Sequence, residues 1–279
     1  ARSYPHHRGA AFDMIKRLGH LFRLYFFQAW FSYRSLFAWS TPFSYATSKF
    51  GFPFFAMLFF VFMGKFVGFL DPMFIVIGNI LMMPTTNGLY GISMTIGNER
   101  QFGAMSYLLG SPAPRAPLFL GRAFFHILDG FVTVLVALPI AMLIFHIDFA
   151  EVNLFMLACC LVLLSITTTG LGFIMGTVSL LSRDGWMFTN TLGQLLYILI
   201  GVNIPIERLP GFLQPLSGYL PMTRGILATR LALGGAGWSE VASLLAGEIL
   251  VAAVYMVFGY TLFRLVERAS LSTGSLDSI

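Results

Sequence analysis

The sequence has few charged residues. Lys, Arg, Asp and Glu together make up 10% of its 279 positions, whereas hydrophobic residues make up 57%. An ordinary soluble domain carries about 25% charged residues, and these form most of its water-facing surface. The mean hydropathy, +0.80, is correspondingly high. The scarcity of charge therefore excludes an ordinary soluble globular protein and indicates that much of the chain faces lipid.

Cysteines and clustered charges are scarce as well. The two cysteines, Cys159 and Cys160, are adjacent in an apolar stretch, a spacing that suits neither a CxxC-type metal site nor a disulfide. The net charge of +5 comes from scattered basic residues, so no basic stripe predicts nucleic-acid binding. Gly64 and Lys65 are followed by Phe66, so they do not form a GxxxxGK[ST] phosphate-binding loop. If ATP drives this protein, a different chain must bind the ATP.

Six long apolar windows follow a more polar N-terminal segment. Each window is near or above the length of about 20 residues that a helix needs to cross the hydrocarbon core of a membrane. We therefore predict an all-α polytopic membrane protein with six transmembrane helices. The predicted parts are a tail with a surface helix at 1–43, a transmembrane domain at 44–266 and a polar tail at 267–279. The apolar windows lie at 50–70, 72–96, 117–145, 152–181, 186–204 and 240–263.

Basic residues predict the orientation of the chain. Lys16, Arg17, Arg23 and Arg34 lie among apolar residues that recur at helical spacing, a pattern typical of an amphipathic helix on the membrane surface. With both termini in the cytoplasm, thirteen of the Lys and Arg residues lie on the cytoplasmic side and four on the outer side. Because cytoplasmic loops carry an excess of Lys and Arg, we predict this orientation in the cell membrane.

Two connecting segments are unusual for a simple helical bundle. The first, 97–116, follows the second window and has the pattern of a short amphipathic helix that ends at Gly110, Pro112 and Pro114. The second, 205–237, is moderately apolar but cannot form one spanning helix, because prolines interrupt it repeatedly. We predict two short re-entrant helices there, since irregular backbone at membrane depth must be covered by protein or water. The interrupting prolines are Pro205, Pro210, Pro215 and Pro221.

Ionisable residues inside the predicted spans are candidates for chemistry. His126 and Asp129 are three residues apart and share a helical face, which would suit a general base with its orienting carboxylate in a membrane enzyme. We favour a structural role, because both lie only about two turns into the helix, near the interface. For Glu248 we favour a hydrogen bond between helices over a proton relay.

Polar side chains in the second and fifth windows form a candidate substrate path. Asn79 and Asn87 are eight residues apart, close to two helical turns, and Asn190 and Gln194 are four apart, so each pair is expected to share a face. Amides that hold helices together in lipid explain the same pattern equally well. The candidate path consists of Asn79, Asn87, Tyr90, Asn190, Gln194 and Asn203.

The two unusual segments resemble those of the ABC-type-2 exporter permeases. The loop pattern of that family, a Glu-Arg pair, then Gly-Thr-Leu-Glu-x-Leu-Leu-x-Ser-Pro and a basic residue, matches Glu99-Arg100, 103–112 and Arg115 without a gap. Ala104 and Ser106 stand where the family usually has Thr and Glu. The segment 205–237 is similar to the family's pair of re-entrant helices, in the form found in its drug and antibiotic exporters.

The resemblance implies a transport subunit rather than an enzyme. It implies that 97–112 is a coupling helix docking on a cytosolic ATPase, that ATP and Mg²⁺ are bound by that partner with no cofactor or metal on this chain, and that two permeases, expected to be identical copies, pair in the membrane. The implied substrate is a hydrophobic drug-like or lipid-like molecule, with a lipid-linked glycan as the alternative. The implied coupling residues are Glu99, Arg100, Phe102, Gly103, Ser106, Leu109 and Pro112.

Overall fold

The computed structural model describes residues 7–36, 41–68, 71–101, 103, 107, 110, 115–145, 152–182 and 184–273. All regular secondary structure in these ranges is helical. In chain order the elements are α1 (His7–Leu36), α2 (Pro42–Ala46), a π-helical turn (Thr47–Gly51), α3 (Phe52–Val67), α4 (Pro72–Gln101), α5 (Arg115–Phe145), α6 (Leu154–Leu181), α7 (Gly185–Leu199), a 3₁₀ turn (Ile206–Arg208), α8 (Gln214–Tyr219), α9 (Thr223–Leu233) and α10 (Trp238–Thr273).

Five stretches of helix among the described residues are long and apolar enough to cross a membrane. They are Pro42–Val67, Pro72–Gln101, Ala123–Phe145, Leu154–Leu181 and Trp238–Ala269. The remaining predicted span, 186–204, corresponds to α7, which has 15 residues. At 1.5 Å per residue α7 is about 22 Å long, shorter than a hydrocarbon core of about 30 Å. The all-helical class is confirmed, and the count of six spans stays a prediction.

The first apolar helix begins at Pro42 rather than near residue 50. The Oγ1 of Thr41 accepts a hydrogen bond from the backbone N–H of Ser44 at 3.1 Å, and Pro42 occupies the first helical turn, where its missing N–H costs nothing. The helix ends at Gly68, whose φ of +64° favours glycine. Because of the earlier start, Lys49 lies within the first span and not before it.

The centre of the bundle is the contact between α4 and α6. Small residues allow these two helices to approach each other closely. A Cβ atom on Gly172 of α6 would lie 2.5 Å from the carbonyl oxygen of Gly88 on α4. Gly176 lies one turn further along α6 and packs against Ile96 of α4 in the same way. Contacts between small residues are typical of helices that associate in lipid, where dense packing replaces the hydrophobic effect. The two central helices are therefore held at a fixed, short distance.

The other helices pack around this pair. On α10, Gly259 contacts the backbone of Gly170 on α6, and on α5, Gly130 contacts Pro84 on α4. α1 packs on the first half of α5 through aromatic rings, of which Trp30 and Phe125 are 5.7 Å apart. The position of α1 relative to the membrane surface stays a prediction.

The bundle has two distinct ends. We call one the α4–α5 end, where α4 and α6 stop and α5 and α7 begin. We call the other the α8–α9 end, where α3 and α7 stop and α4 and α10 begin. Two short helices, α8 and α9, occur within 205–237 as the sequence predicts, and their insertion into the membrane stays a prediction.

Candidate functional site

A groove with a volume of about 420 Å³ lies between α3, α4 and α7, toward the α8–α9 end. We call it the α3–α7 groove. Most of its lining is apolar, and the ring of Phe60 on α3 stacks with that of Tyr197 on α7 at 6.3 Å. Its amide side chains are those of Gln194 and Asn203. The lining residues are Phe60, Met63, Gly64, Val67, Ile75, Gln194, Tyr197, Ile198, Asn203 and Ile204.

The chemistry of this groove suits a largely apolar ligand. A binding site with an apolar wall and few polar groups holds the body of a ligand by burial and orients it through hydrogen bonds. Gln194 is exposed on α7 and offers both a donor and an acceptor. A hydrophobic molecule with one hydrogen-bonding group therefore matches the lining.

Asn79 and Asn203, two residues of the candidate path, lie together beside the groove. The Nδ2 of Asn79 donates to the Oδ1 of Asn203 at 2.7 Å and to the carbonyl oxygen of Ile75 at 2.9 Å. Asn79 is buried, whereas Asn203 is partly exposed and lines the groove. The pair fixes the turn after α7 to the first half of α4.

Tyr90 and Asn190 form a second contact between α4 and α7. The Tyr90 hydroxyl donates to the Oδ1 of Asn190 at 3.2 Å, and Gly193 allows α7 to approach the tyrosine ring closely. Four of the candidate path residues thus form interhelical bonds between α4 and the segment containing α7. Gln194, one turn from Asn190, lines the groove, so the two residues of this pair have different surroundings.

Asn87 lies in a different environment from Asn79. Its Oδ1 accepts a hydrogen bond from the Nζ of Lys49 at 2.6 Å, and its Nδ2 donates to the Oγ1 of Thr133 on α5 at 3.3 Å. The expected common face of Asn79 and Asn87 is therefore not observed, because the two amides contact different neighbours. A role of either residue in a substrate path stays a prediction.

Lys49 is at the centre of a buried polar network that the sequence did not reveal. Its ammonium forms an ion pair with the carboxylate of Asp129 on α5, and each side chain is only 10% exposed. The hydroxyl of Tyr45 donates to the other carboxylate oxygen at 2.7 Å. We call Tyr45, Lys49, Asn87, Asp129 and Thr133 the Lys49 network. It joins the first span to α4 and α5.

His126 is buried, with 3% of its surface exposed, at the contact between α4 and α5. Its Nε2 lies 3.2 Å from the Oγ1 of Thr95, and its ring packs against Gly91. Asp129, three residues away, is bound by Lys49 and Tyr45. These contacts agree with the structural role favoured for His126 and Asp129, since each side chain is committed to a neighbouring helix.

Arg230 of α9 holds the α8–α9 end together. Its Nη1 donates to the carbonyl oxygen of Phe74 at 2.8 Å, and its Nη2 donates to those of Gly201 at 3.1 Å and Val202 at 3.0 Å. The guanidinium also lies 3.6 Å from the centre of the Phe74 ring, a cation–π contact. From its place in a connecting segment, the sequence indicated only a charge on the outer side.

Glu248 of α10 binds the beginning of α9. Its carboxylate accepts hydrogen bonds from the backbone N–H of Met222 and, at 3.0 Å, from that of Gly225. Glu248 is fully buried. The first N–H groups of a helix have no partners within it, so this carboxylate acts as a cap supplied by another helix. The predicted hydrogen bond between helices is confirmed.

A second, polar cavity of about 500 Å³ lies at the α4–α5 end. Beside it the Nη1 of Arg100 donates to the carbonyl oxygen of Ser179 at 3.0 Å, which ties the end of α4 to the end of α6. The cavity is lined by Ser93, Met94, Gly97, Asn98, Arg100, Gln101, Ser179, Ser182, Gly185 and Trp186.

The predicted coupling residues begin at this cavity. Glu99 and Arg100 lie in the last turn of α4, and Gly103 has a φ of +72° that turns the chain after the helix. The other four, Phe102, Ser106, Leu109 and Pro112, lie outside the described residues. The interaction of these seven residues with an ATPase stays a prediction.

Comparison with known proteins identifies one family. The family model described as ABC-2 type transporter matches residues 25–233, from the second half of α1 to the end of α9. The match includes the α3–α7 groove, the Lys49 network and the polar cavity at the α4–α5 end. A search of curated proteins finds no match to the chain.

Proposed function

The chain belongs to the ABC-2 type transporter family, and we propose that it is the permease subunit of an ATP-driven exporter. Its long apolar helices and the family match both indicate that it is a multi-pass membrane protein. In our proposal it spans the cell membrane six times, with α7 and the turn after it forming the fifth span and both termini in the cytoplasm. The α8–α9 end then faces outward.

The substrate that we propose is a hydrophobic drug-like or lipid-like molecule. The observation that carries this proposal is the α3–α7 groove, whose apolar walls and few amides match such a molecule better than a sugar chain. A lipid-linked glycan is the second candidate, and it would need many more hydrogen-bonding groups along its path. Gln194 and Asn203 are proposed to contact the polar part of the substrate.

The energy is proposed to come from a separate cytosolic ATPase, which binds ATP and Mg²⁺. Two copies of the permease would pair with two ATPase subunits in the bilayer. The segment 97–112 is proposed to dock on the ATPase, because it joins α4 to α5 at the end of the bundle where Arg100 ties α4 to α6. Movement of this segment would be transmitted to α4 and α5, which it joins, and to α6 through the contact of Arg100.

An intramembrane enzyme built on His126 and Asp129 is a distant alternative. A general base needs access to its substrate, and His126 is buried against Thr95 and Gly91. Replacing both residues with Ala while ATP-driven export continues would remove this alternative.

The first test is a pull-down of the detergent-solubilised chain, with co-purifying proteins identified by mass spectrometry. The test variant changes Glu99, Phe102 and Leu109 together to Ala, which removes the charge and the apolar surface of the proposed coupling helix. A cytosolic ATPase that binds the native chain and is lost from this variant would support the proposal.

A matched control variant places three Ala substitutions at the opposite end of the bundle. Leu216, Tyr219 and Phe212 are all exposed there, so their replacement removes a similar area without unpacking the core. The control is expected to retain the ATPase. Absence of an ATPase from all three preparations would contradict the exporter proposal. Equal loss of the ATPase from both variants would contradict the proposal that the segment 97–112 docks on it.

A further inference from the structure

The polar cavity at the α4–α5 end is lined by three helices. The residues from α4 are spaced three and four apart on one helical face, among them Ser93, Gly97 and Arg100. The end of α6 and the start of α7 form the rest of the wall, to which Ser182 and Trp186 contribute side chains. Hydroxyl, amide and guanidinium groups therefore line a space of about 500 Å³, in contrast to the apolar α3–α7 groove.

Arg100 is the one charged residue among the described residues that line this cavity. Its Nη1 donates to the backbone carbonyl oxygen of Ser179 at 3.0 Å, and within the described ranges no carboxylate forms an ion pair with its guanidinium. A guanidinium has five N–H donors, so one bond to a neutral acceptor leaves most of its donors to water or to a ligand. An anionic group in the cavity would therefore supply the partner that Arg100 lacks.

The length of α4 places the cavity at the level of the lipid headgroups. α4 has 30 residues, which at 1.5 Å per residue make a helix of about 45 Å, as long as a bilayer with its headgroup layers is thick. The residues of α4 that line the cavity lie within 93–101, at the end of this helix. Trp186, which also lines the cavity, is of a residue type enriched where a membrane meets water. The cavity therefore lies where the phosphate groups of a membrane are found.

Exposed apolar side chains accompany the polar lining. Met94 and Trp186 line the cavity and are 38% and 62% exposed, and Leu181 and Met187, the chain neighbours of two lining residues, are exposed as well. A soluble anion would leave this apolar surface uncovered. A phospholipid would use both parts of the site, because its phosphate fits the polar cavity and its acyl chains can cover the apolar side chains.

The neutral groups of the lining indicate which headgroup fits. Asn98, Gln101 and Ser182 offer amide and hydroxyl groups, which can bond to the hydroxyls of a headgroup. Glu99 and Asp184 are chain neighbours of lining residues but do not line the cavity themselves. The described lining thus presents no carboxylate to an ammonium or a choline. A headgroup with hydroxyls and a net negative charge suits it better than a zwitterionic headgroup.

From these observations we propose that the polar cavity binds one anionic phospholipid of the phosphatidylglycerol type, with its phosphate on Arg100 and its acyl chains over Met94 and Trp186. The lipid is a resident ligand and not cargo. It contacts the ends of α4 and α6 and the start of α7, so it supplements the bond between Arg100 and Ser179. This site is separate from the α3–α7 groove and does not depend on the proposed transport function.

The site can be tested by native mass spectrometry of the full chain in detergent, which counts the lipids bound to each molecule. The delipidated chain is titrated with phosphatidylglycerol or with phosphatidylcholine of the same acyl chains, and sn-glycerol 3-phosphate serves as a soluble phosphate. Arg100→Gln removes the charge. Gly97→Leu adds a large side chain to the wall and keeps Arg100, and its Cβ would lie at an ordinary contact distance, 3.4 Å, from that of Ser179. Arg23→Gln is the matched control, because it removes an exposed charge from α1.

We expect the first phosphatidylglycerol to bind about three- to fivefold more tightly than phosphatidylcholine, the factor that one exposed charge contributes. Arg100→Gln should weaken the binding of phosphatidylglycerol about tenfold, because a hydrogen bond to a charged group is lost, and should abolish the preference between the two lipids. Gly97→Leu should weaken the same binding event. Arg23→Gln should bind like the unchanged chain, and sn-glycerol 3-phosphate should not displace the lipid at equal concentration.

Three results would overturn the proposal. The first is equal affinity of the unchanged chain for the two lipids, a comparison that needs no variant and so does not depend on whether Arg100→Gln folds. The second is an equal loss of binding in Arg100→Gln and Arg23→Gln, which would show a general attraction of basic residues for anionic lipid. The third is displacement of the lipid by sn-glycerol 3-phosphate at equal concentration, which would show a site for a soluble phosphate.

Discussion

Replacing Arg230 with Met should loosen the α8–α9 end of the protein. The guanidinium donates to three carbonyl oxygens, those of Phe74, Gly201 and Val202, and thereby joins α9 to the start of α4 and to the turn after α7. Methionine has a similar apolar stem but cannot donate. The substitution would leave these carbonyls without their donor in a partly buried place.

The expected loss of stability follows from the number of hydrogen bonds that the substitution removes. Hydrogen bonds between side chains in membrane proteins contribute about 0.6 kcal/mol on average and at most about 1.7 kcal/mol, so three bonds correspond to about 2–5 kcal/mol. The cation–π contact with Phe74 adds about 1 kcal/mol. The total is about 3–6 kcal/mol. With about 2–4 °C per kcal/mol for a chain of this size, the melting temperature should fall by roughly 6–24 °C.

The assay is thermal unfolding of the purified chain in detergent, followed by intrinsic fluorescence. Lys65→Met is the control, because Lys65 is an exposed basic residue near the same end of the bundle. Arg230→Lys should give an intermediate melting temperature, since one ammonium cannot reach three carbonyls in the geometry of a guanidinium. A melting temperature of Arg230→Met within about 2 °C of the unchanged chain, or equal losses for Lys65→Met, would refute this reasoning.

Three further predictions concern the polar side chains of Lys49, Glu248 and Gln194. Lys49→Met should lower the free energy of unfolding by about 3–5 kcal/mol, because it leaves the carboxylate of Asp129 without its cationic partner. The double variant Lys49→Met/Asp129→Leu should lose less stability, and equal melting temperatures of the single and double variants would contradict this. Glu248→Gln should lower the free energy of unfolding by about 1–3 kcal/mol, because the amide NH₂ would face a backbone N–H; an unchanged melting temperature would contradict the capping role. Gln194→Leu should raise KM in ATP-driven vesicle transport for hydrophobic dyes with a hydrogen-bonding group, with no change for dyes that lack one; an equal effect on both would count against the groove.

The fold class was predictable because it depends on composition. Long apolar windows require lipid, and lipid requires that backbone groups be satisfied within each segment, so helices follow from hydropathy alone. The breaks at Pro205 to Pro221 likewise indicated short helices before α10. The start of the first span was missed because the helix-starting residues Thr41 and Pro42 precede the most apolar part of the window.

The polar contacts between helices were much less predictable. Asn79 and Asn87 are eight residues apart, and at 100° per residue they end about 80° away from a common face. Pro84 also lies between them and disturbs the helix. Periodicity gives the approximate face of a side chain, but its partner belongs to a distant segment. For this reason Lys49 and Arg230 were recognised as charges, whereas the groups that they bind were not.

The distribution of these polar contacts shows which helices are bound to one another by groups that lipid cannot replace. In lipid, apolar surfaces between helices are exchanged for lipid contacts at little cost, so the buried polar groups determine which segments stay together. Around the α3–α7 groove, α4 and the segment containing α7 are joined by Asn79 with Asn203, by Tyr90 with Asn190, and by Arg230. Beyond the Lys49 network, the groove-lining part of α3 contributes mainly apolar side chains. Of the walls of the groove, α3 is therefore the one whose displacement breaks the fewest bonds that lipid cannot replace.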